Sequence, residues 1–202
     1  MKIIFFDFDG VIVDSFSMCY EISNIIRPST ADEYRAMYEG NIYHALVKRP
    51  AARPDIDFFD EYAPRLAKHK PMEGVARDIE ELAEEHILVI VSSTTSRIIE
   101  DFLKEHGLRG HFKEILGSDV ERSKSKKIKN ILEAYEVLPE HSIFITDTLG
   151  DIKEAAECNV KSIGVTWGFH SKGKLEEGGK HVVAILGEEE SIAGSVKKHF
   201  RN

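Results

Sequence analysis

The sequence predicts an α/β fold: a parallel sheet covered by helices on both faces, with a small α-helical insert. Three observations carry this. Short apolar runs recur along the chain, β-branched or aromatic and too brief for helices. Amphipathic stretches alternate with them, the pattern of strand–helix–strand units. One long stretch, residues 17–71, interrupts the alternation and holds no strand-like run.

The strands are expected at Lys2 to Asp7, Ile87 to Val91, Ile143 to Ile145 and Ser162 to Val165, with a weaker one at Val182 to Leu186. Helices are expected over Val75 to Glu85, Arg97 to His106, Ile128 to Tyr135 and Ile152 to Cys158. Ile98, Ile99, Phe102 and Leu103 mark the apolar side of the second of these, and Ile131, Leu132 and Tyr135 that of the third. Inside the insert, helical pieces surround Met18 to Ile26, Ala31 to Glu39 and Phe58 to His69, and Pro50 and Pro54 bracket a loop. The tail places Glu188, Glu189 and Glu190 before Ile192, and Lys197, Lys198 and His199 late. Acids first and bases last suit a helix dipole and need no functional reading. The resulting organisation is a three-layer, Rossmann-like core from residues 1–16 and 72–202, with residues 17–71 inserted after the first strand.

The chain of 202 residues is long enough to bury a core without disulfides. Its formal net charge is −8, which argues against a nucleic-acid partner, since that needs a basic face. An anionic substrate would need a local positive field from a metal or a few placed lysines. The two cysteines, Cys19 and Cys158, are far apart and form no metal-binding spacing. No apolar run approaches the roughly 20 residues of a membrane span. The N-terminal MKIIFF is cut short by Asp7 and Asp9, so no signal segment is expected and the protein is read as cytoplasmic.

Chemistry concentrates at strand ends, where ligands bind in such sheets. Asp7-Phe8-Asp9-Gly10 places two carboxylates after the first apolar run, with a glycine to turn the chain. Asp147-Thr148-Leu149-Gly150-Asp151 follows another run and opens a helix, which Thr148 or Asp151 also suits as a capping residue. Four carboxylates in one crevice repel; one like-charged pair ~4 Å apart costs roughly 4 kcal/mol at an effective dielectric of about 20. A hard divalent cation with oxygen ligands offsets this, and magnesium keeps waters free for a phosphate. A proton on one acid relieves the rest and can serve as a general acid. Ser92-Ser93-Thr94-Thr95-Ser96 supplies hydroxyls and backbone N–H groups before a helix, either a phosphate cradle or a polar helix start. Lys124-Ser125-Lys126-Lys127 supplies positive charge, on a solvated surface or toward an anion.

These four pieces, in this order, resemble the haloacid-dehalogenase-like superfamily. Asp7 and Asp9 match its first motif, Ser92 its second, a lysine near 124 its third, and Asp147 with Asp151 its fourth. The insert is similar in placement to the helical cap of the phosphoglycolate-phosphatase-like and β-phosphoglucomutase-like branch. Gly164-Val165-Thr166-Trp167-Gly168-Phe169-His170 is also similar to that branch. The resemblance implies a phosphatase, with Asp7 as nucleophile and Asp9 as general acid and base. It implies Mg²⁺ held by Asp7, the backbone carbonyl of Asp9 and Asp147, with Asp151 acting through water or through the lysine. Ser92 would hydrogen-bond the phosphoryl group, and Lys124 would balance charge on the phosphate and Asp7.

Three departures from the family pattern stand out. Ser125 replaces the proline that often follows the third-motif lysine, which leaves Lys126 as a second candidate. Thr146 replaces a glycine before Asp147, and Ser93 competes with Ser92. Dehalogenase-like members lack the second acid of the first motif, so Asp9 argues for phosphoryl chemistry. A phosphomutase and a non-catalytic scaffold that binds a partner protein are the alternatives. Gly10 and Ser93 in the core, and Asn41, Tyr43 and His44 in the insert, are candidate substrate contacts, although a lone histidine there also suits an ordinary surface or core position. The expected partner is a small phosphorylated metabolite, with the protein a monomer or homodimer.

Overall fold

The computed structural model describes residues 2–49, 51–53 and 55–201. Six strands form one parallel sheet: β1 (Ile3–Phe6), β2 (Ile87–Val91), β3 (Phe112–Leu116), β4 (Ser142–Thr146), β5 (Lys161–Val165) and β6 (Val182–Leu186). Their order across the sheet is β3-β2-β1-β4-β5-β6. The chain leaves β1 in one direction for β2 and β3, and builds the other side with β4, β5 and β6. β1 is therefore the switch point of the topology, the place where such sheets open a crevice at their carboxyl ends. Phe6 lies opposite Ile90 of β2 and Ile145 of β4, so the residues that follow these three strands emerge together.

Alternation along β1 divides the core. Ile4 and Phe6 join the large apolar cluster on one face, and Ile3 and Phe5 the smaller one on the other. The first face is covered by α5 (Glu73–Ala83), α6 (Ser96–Glu105) and α10 (Ile192–Arg201), through Ile79, Phe102 and Val196. The second is covered by α7 (Lys124–Ala134) and α8 (Leu149–Ala156), through Ile128, Ile131 and Ala155. A short α9 (Lys172–Glu176) precedes β6.

Among the described residues between β1 and α5 lie four helices and no strand: α1 (Phe16–Ile26), α2 (Ala31–Ala36), α3 (Ile42–Lys48) and α4 (Phe58–Leu66). α1 packs on α4, and their buried Ile22, Ile26, Tyr62 and Leu66 are continuous with the core cluster. Asn41 caps α3 by accepting from the Tyr43 N–H at 3.0 Å, and Asp57 caps α4 through the N–H groups of Phe59 and Asp60.

The structure corrects the sequence reading in several places. Phe112–Leu116 is an edge strand absent from it; Lys113 and Glu114 interrupt the apolar run that would mark it. α3 was not expected. α7 starts at Lys124 rather than Ile128, so the lysines belong to the helix and not to a preceding loop. At the tail, the anion at the start of α10 is Asp78, whose carboxylate takes the Ile192 N–H and the Ser191 hydroxyl, each at 2.7 Å. Of the glutamates, Glu190 instead closes a turn by accepting from the Gly187 N–H at 2.8 Å. The proposed Pro50–Pro54 bracket lies outside the described residues.

Candidate active site

The site grows from the carboxyl ends of β1, β2 and β4. Asp7 continues β1: its N–H donates to the Ile145 carbonyl at 2.9 Å, which fixes its backbone in the sheet. Its Oδ1 accepts the Phe8 N–H at 2.7 Å, and its Oδ2 faces the Lys124 ammonium at 2.7 Å. Lys124 reaches there from the first turn of α7 and is buried, with its Nζ also 2.7 Å from Asp151 Oδ2. Lys126, the competing candidate, is exposed and faces Glu121. The geometry thus singles out Lys124 as the lysine beside Asp7.

Asp151 stands in the first turn of α8, where Thr148 caps the helix by accepting its N–H. Its Oδ2 also accepts the Thr146 hydroxyl at 2.7 Å. Asp147 is fully buried, and its Oδ2 accepts the Phe169 N–H at 2.7 Å. Glycine is required around it. Gly10 turns with φ +71°, and a Cβ there or at Gly168 would overlap the Asp147 carboxylate.

Three buried acids and one lysine cannot all be charged at no cost. Burial pushes the Asp7 carboxyl well above its usual range despite Lys124. Burial, aided by the Asp151 charge, raises Asp147 to about 7. Burial also opposes ionisation of Asp151, yet the Lys124 charge and its hydrogen bonds hold it below the usual value. Lys124 is likewise opposed by burial and held charged by Asp151 and Asp7. The sign pattern is a cluster short of positive charge.

Carboxylate oxygens of Asp7, Asp147 and Asp151 lie within 4.8 Å of one another. Asp147 Oδ1 is buried and has no hydrogen-bond partner among the described residues. An oxygen-only donor set with an orphaned carboxylate oxygen fits a hard divalent cation such as magnesium. Asp9 lies outside this trio. Its carboxylate is held by three hydroxyls instead: Ser15 at 2.7 Å and Tyr62 at 2.6 Å on Oδ1, and Thr94 at 2.7 Å on Oδ2. Its side chain is therefore no part of the acid trio, which leaves only its backbone carbonyl, the group expected from the sequence, for a place in the metal set.

Ser92 follows β2, is buried, and accepts the Thr94 N–H at 3.1 Å, which orients its hydroxyl. Its carbonyl accepts from the Lys127 ammonium at 2.7 Å. Lys127 is pressed down to about 8 by burial and by Lys124. Ser92, Ser93 and Thr94 share the wall of a cavity of about 150 Å³ with Asp7, Asp9 and Lys124.

Asp147, Thr148, Asp151, Glu154 and Phe169 line the cavity too, and the insert closes the far side. Tyr43 lines the cavity, but its hydroxyl is committed to the Ser93 carbonyl at 3.0 Å. Asn41 does not line it: its amide donates to both Glu154 carboxylate oxygens at 3.2 Å and to the Arg122 carbonyl at 3.1 Å. His44 does not line it either. These two expected substrate contacts thus lie off the cavity wall, and the insert residues that line it are largely apolar. Sequence reading missed Tyr62 and Glu154, which act over long sequence separations and which no local pattern marks. It gave Thr94 and Lys127 only as members of their hydroxyl and basic runs, without the contacts to Asp9 and Ser92.

The constellation matches a known family. The model of the haloacid dehalogenase-like hydrolases aligns with residues 4–165, most of the chain, including Asp7, Asp9, Ser92, Lys124, Asp147 and Asp151. The chain belongs to that family. Among curated members, it is 24% identical over 197 residues to a phosphoglycolate phosphatase of Vibrio cholerae, covering 84% of this chain and 86% of the relative. It is 26% identical over 188 residues to a phosphoglycolate phosphatase of Synechococcus elongatus, covering 87% and 88%. A solved structure described as a predicted phosphatase from Clostridium acetobutylicum superposes with a TM-score of 0.76 at 20% identity, covering 100% of this chain and 99% of that one. The haloacid dehalogenase-like fold is thus shared along the whole chain. No helix among the described residues is long and apolar enough to cross a membrane.

Proposed function

We propose that this haloacid dehalogenase-like phosphatase hydrolyses the monoester of a small phosphorylated metabolite, with Mg²⁺ as cofactor and an aspartyl-phosphate on Asp7. The observation that carries the reading is the Lys124 ammonium seated between Asp7 and Asp151, beside the unpartnered Asp147 Oδ1.

Asp7 attacks phosphorus: a carboxylate–phosphorus bond forms and the ester P–O bond breaks. Asp9 gives its proton to the departing oxygen. Water then attacks the phosphorus of the aspartyl-phosphate, Asp9 takes its proton back, and phosphate leaves with Asp7 restored. Ser92, with its hydroxyl oriented by Thr94, holds a phosphoryl oxygen. Lys124 balances charge on Asp7 as it changes between free and phosphorylated forms. Asp7 and Asp147, with Asp151 close by, would hold the Mg²⁺, which supplies charge stabilisation to the transferring phosphoryl group. The hydroxyls of Ser15, Tyr62 and Thr94 fix Asp9, so that its proton is delivered at one place.

In this reading residues 17–71 are the cap, which covers the crevice, excludes water and selects the leaving group. The cavity of about 150 Å³ supports a small ester rather than a polymer. A cytoplasmic site of action belongs to the same reading, with free, buried Cys19 and Cys158 as its support. The test is turnover of p-nitrophenyl phosphate with Mg²⁺ and after exhaustive chelation. Loss of turnover on chelation, restored by Mg²⁺, is expected; undiminished turnover without metal would overturn it.

A further inference from the structure

The cavity above the acids is not walled like a sugar site. On the insert side Met37, Tyr38, Ile42, Leu46, Phe58 and Phe59 face it. The polar atoms among the aromatic residues of this wall are already committed. The Tyr34 and Tyr38 hydroxyls bond each other at 2.9 Å, and the Tyr43 hydroxyl is held by the Ser93 carbonyl. A ligand hydroxyl entering here would lose water and find few partners.

The exception runs along α1 and its end. Cys19 and Ser23 share one face of the helix at i and i+4, Arg27 directly follows its last residue, and all three line the cavity. Cys19 marks the near end, with its Sγ 3.9 Å from Asp9 Oδ1. Arg27 follows Ile26, the last residue of α1, which is roughly 10 Å of helix rise further along. Its Nε donates to the Arg49 carbonyl at 2.8 Å, which fixes the guanidinium, and no carboxylate pairs with it among the described residues. The order from floor to far end is thus phosphate site, apolar walls, then a fixed cation.

We infer that the site, if it is the phosphohydrolase centre proposed above, takes monoesters of apolar, aryl-sized alcohols that carry a carboxylate or similar acceptor at the end away from the phosphate. The shape agrees: the cavity of about 150 Å³ has its charged groups at the floor and a mostly apolar, aromatic-rich wall above, which suits a flat apolar ring next to the phosphate. A two-carbon acid phosphate keeps its carboxylate next to the phosphate, too close to meet Arg27. A sugar phosphate has the length but presents hydroxyls to apolar walls.

The experiment compares benzyl phosphate, 4-carboxybenzyl phosphate, glucose 6-phosphate and 2-phosphoglycolate, all of which leave as aliphatic alcohols. kcat/KM is measured for wild type, and affinity by calorimetry with the Asp7→Asn protein, which retains the chamber. The expected order is 4-carboxybenzyl, then benzyl, then the two polar esters, with benzyl ahead of glucose 6-phosphate by about tenfold or more. Arg27→Met should cut the ratio of carboxybenzyl to benzyl by about tenfold, and Arg27→Lys should restore part of it. A preference for glucose 6-phosphate or 2-phosphoglycolate overturns the assignment. So does a carboxybenzyl ratio that Arg27→Met leaves unchanged. The two readings fail separately. The expected order of affinities, with no ester turned over by wild type, p-nitrophenyl phosphate included, upholds the chamber and sinks the hydrolase. Rapid p-nitrophenyl phosphate turnover with a polar preference does the reverse.

Discussion

The floor and the roof of the cavity are built on opposite principles. The floor, at the ends of β1, β2 and β4, is dense with charge, and nearly every polar atom has a stated partner, from Phe8 N–H on Asp7 to Thr146 on Asp151. The roof, from α1 to α4, meets the same space with Met37, Ile42, Leu46 and two phenylalanines. Charge placed on a rigid sheet can be positioned closely, whereas apolar walls on an insert exclude water and sort shapes. The difference teaches where each kind of change should be felt. Floor substitutions should slow esters of equal leaving-group acidity alike, and roof substitutions should alter the ratios between such esters.

The largest effect that sharpens this contrast is Asp7→Asn, expected to lower kcat on the order of 10⁴-fold or more for every ester while the fold persists. Steady-state rates on three unrelated esters check it, and an ester-dependent loss would blur floor and roof. Next is Asp9→Asn, expected to cost roughly 10²–10⁴-fold with a poor leaving group. The loss should shrink with p-nitrophenyl phosphate, whose phenolate leaves without a proton. Equal losses for both would place Asp9 outside the leaving-group step.

Lys124→Met tests the floor as structure. It strands Asp7 and Asp151 without their buried partner, so metal-free protein should lose about 3–5 kcal/mol in urea unfolding. A loss under 1 kcal/mol would mean the ion pairs are not needed to hold the acids together. The pH dependence follows from Asp147. Its folded carboxyl titrates at about 7 against 3.8 for a free one. Protons are therefore bound more tightly when folded, and this contribution, full below pH 3.8, is lost as pH rises through about 7. Melting of metal-free protein should fall over that window. Asp147→Asn should flatten the fall, and a fall of the same size in that variant would contradict the assignment. The smallest effect expected is Tyr62→Phe, which removes the one hydroxyl that the roof lends to Asp9. About a tenfold loss is expected from one charge-assisted hydrogen bond. No change would leave floor and roof fully separate.

Much of the floor was legible in the sequence, because strand-end acids sit within a few residues of each other and of their apolar runs. Asp7, Asp147 and Asp151 declare themselves that way, and the alternation of Ile3–Phe6 with later runs gives the sheet. Phe112–Leu116 was not legible, since an edge strand half open to water reads as a mixed, polar segment. Choosing Lys124 over Lys126 needs the direction of α7, which only the helix start at Ser123 fixes. At the roof the sequence drew attention to the polar Asn41 and His44, whereas the residues that line the cavity there are largely apolar and carry no local mark. Tyr62 and Thr94 reach Asp9 across 53 and 85 residues, distances over which spacing carries no signal.

The central claim is that Asp7 carries the phosphoryl group while the roof only sorts esters. The direct measurement is acid quench of the Mg²⁺-loaded enzyme during turnover, borohydride reduction of any acyl-phosphate, and mass spectrometry of the peptides. The account predicts homoserine at position 7, in place of Asp7, and at no other carboxylate. Homoserine at Asp9, Asp147 or Asp151 would contradict it. So would a quenched, turning-over enzyme with every aspartate unmodified.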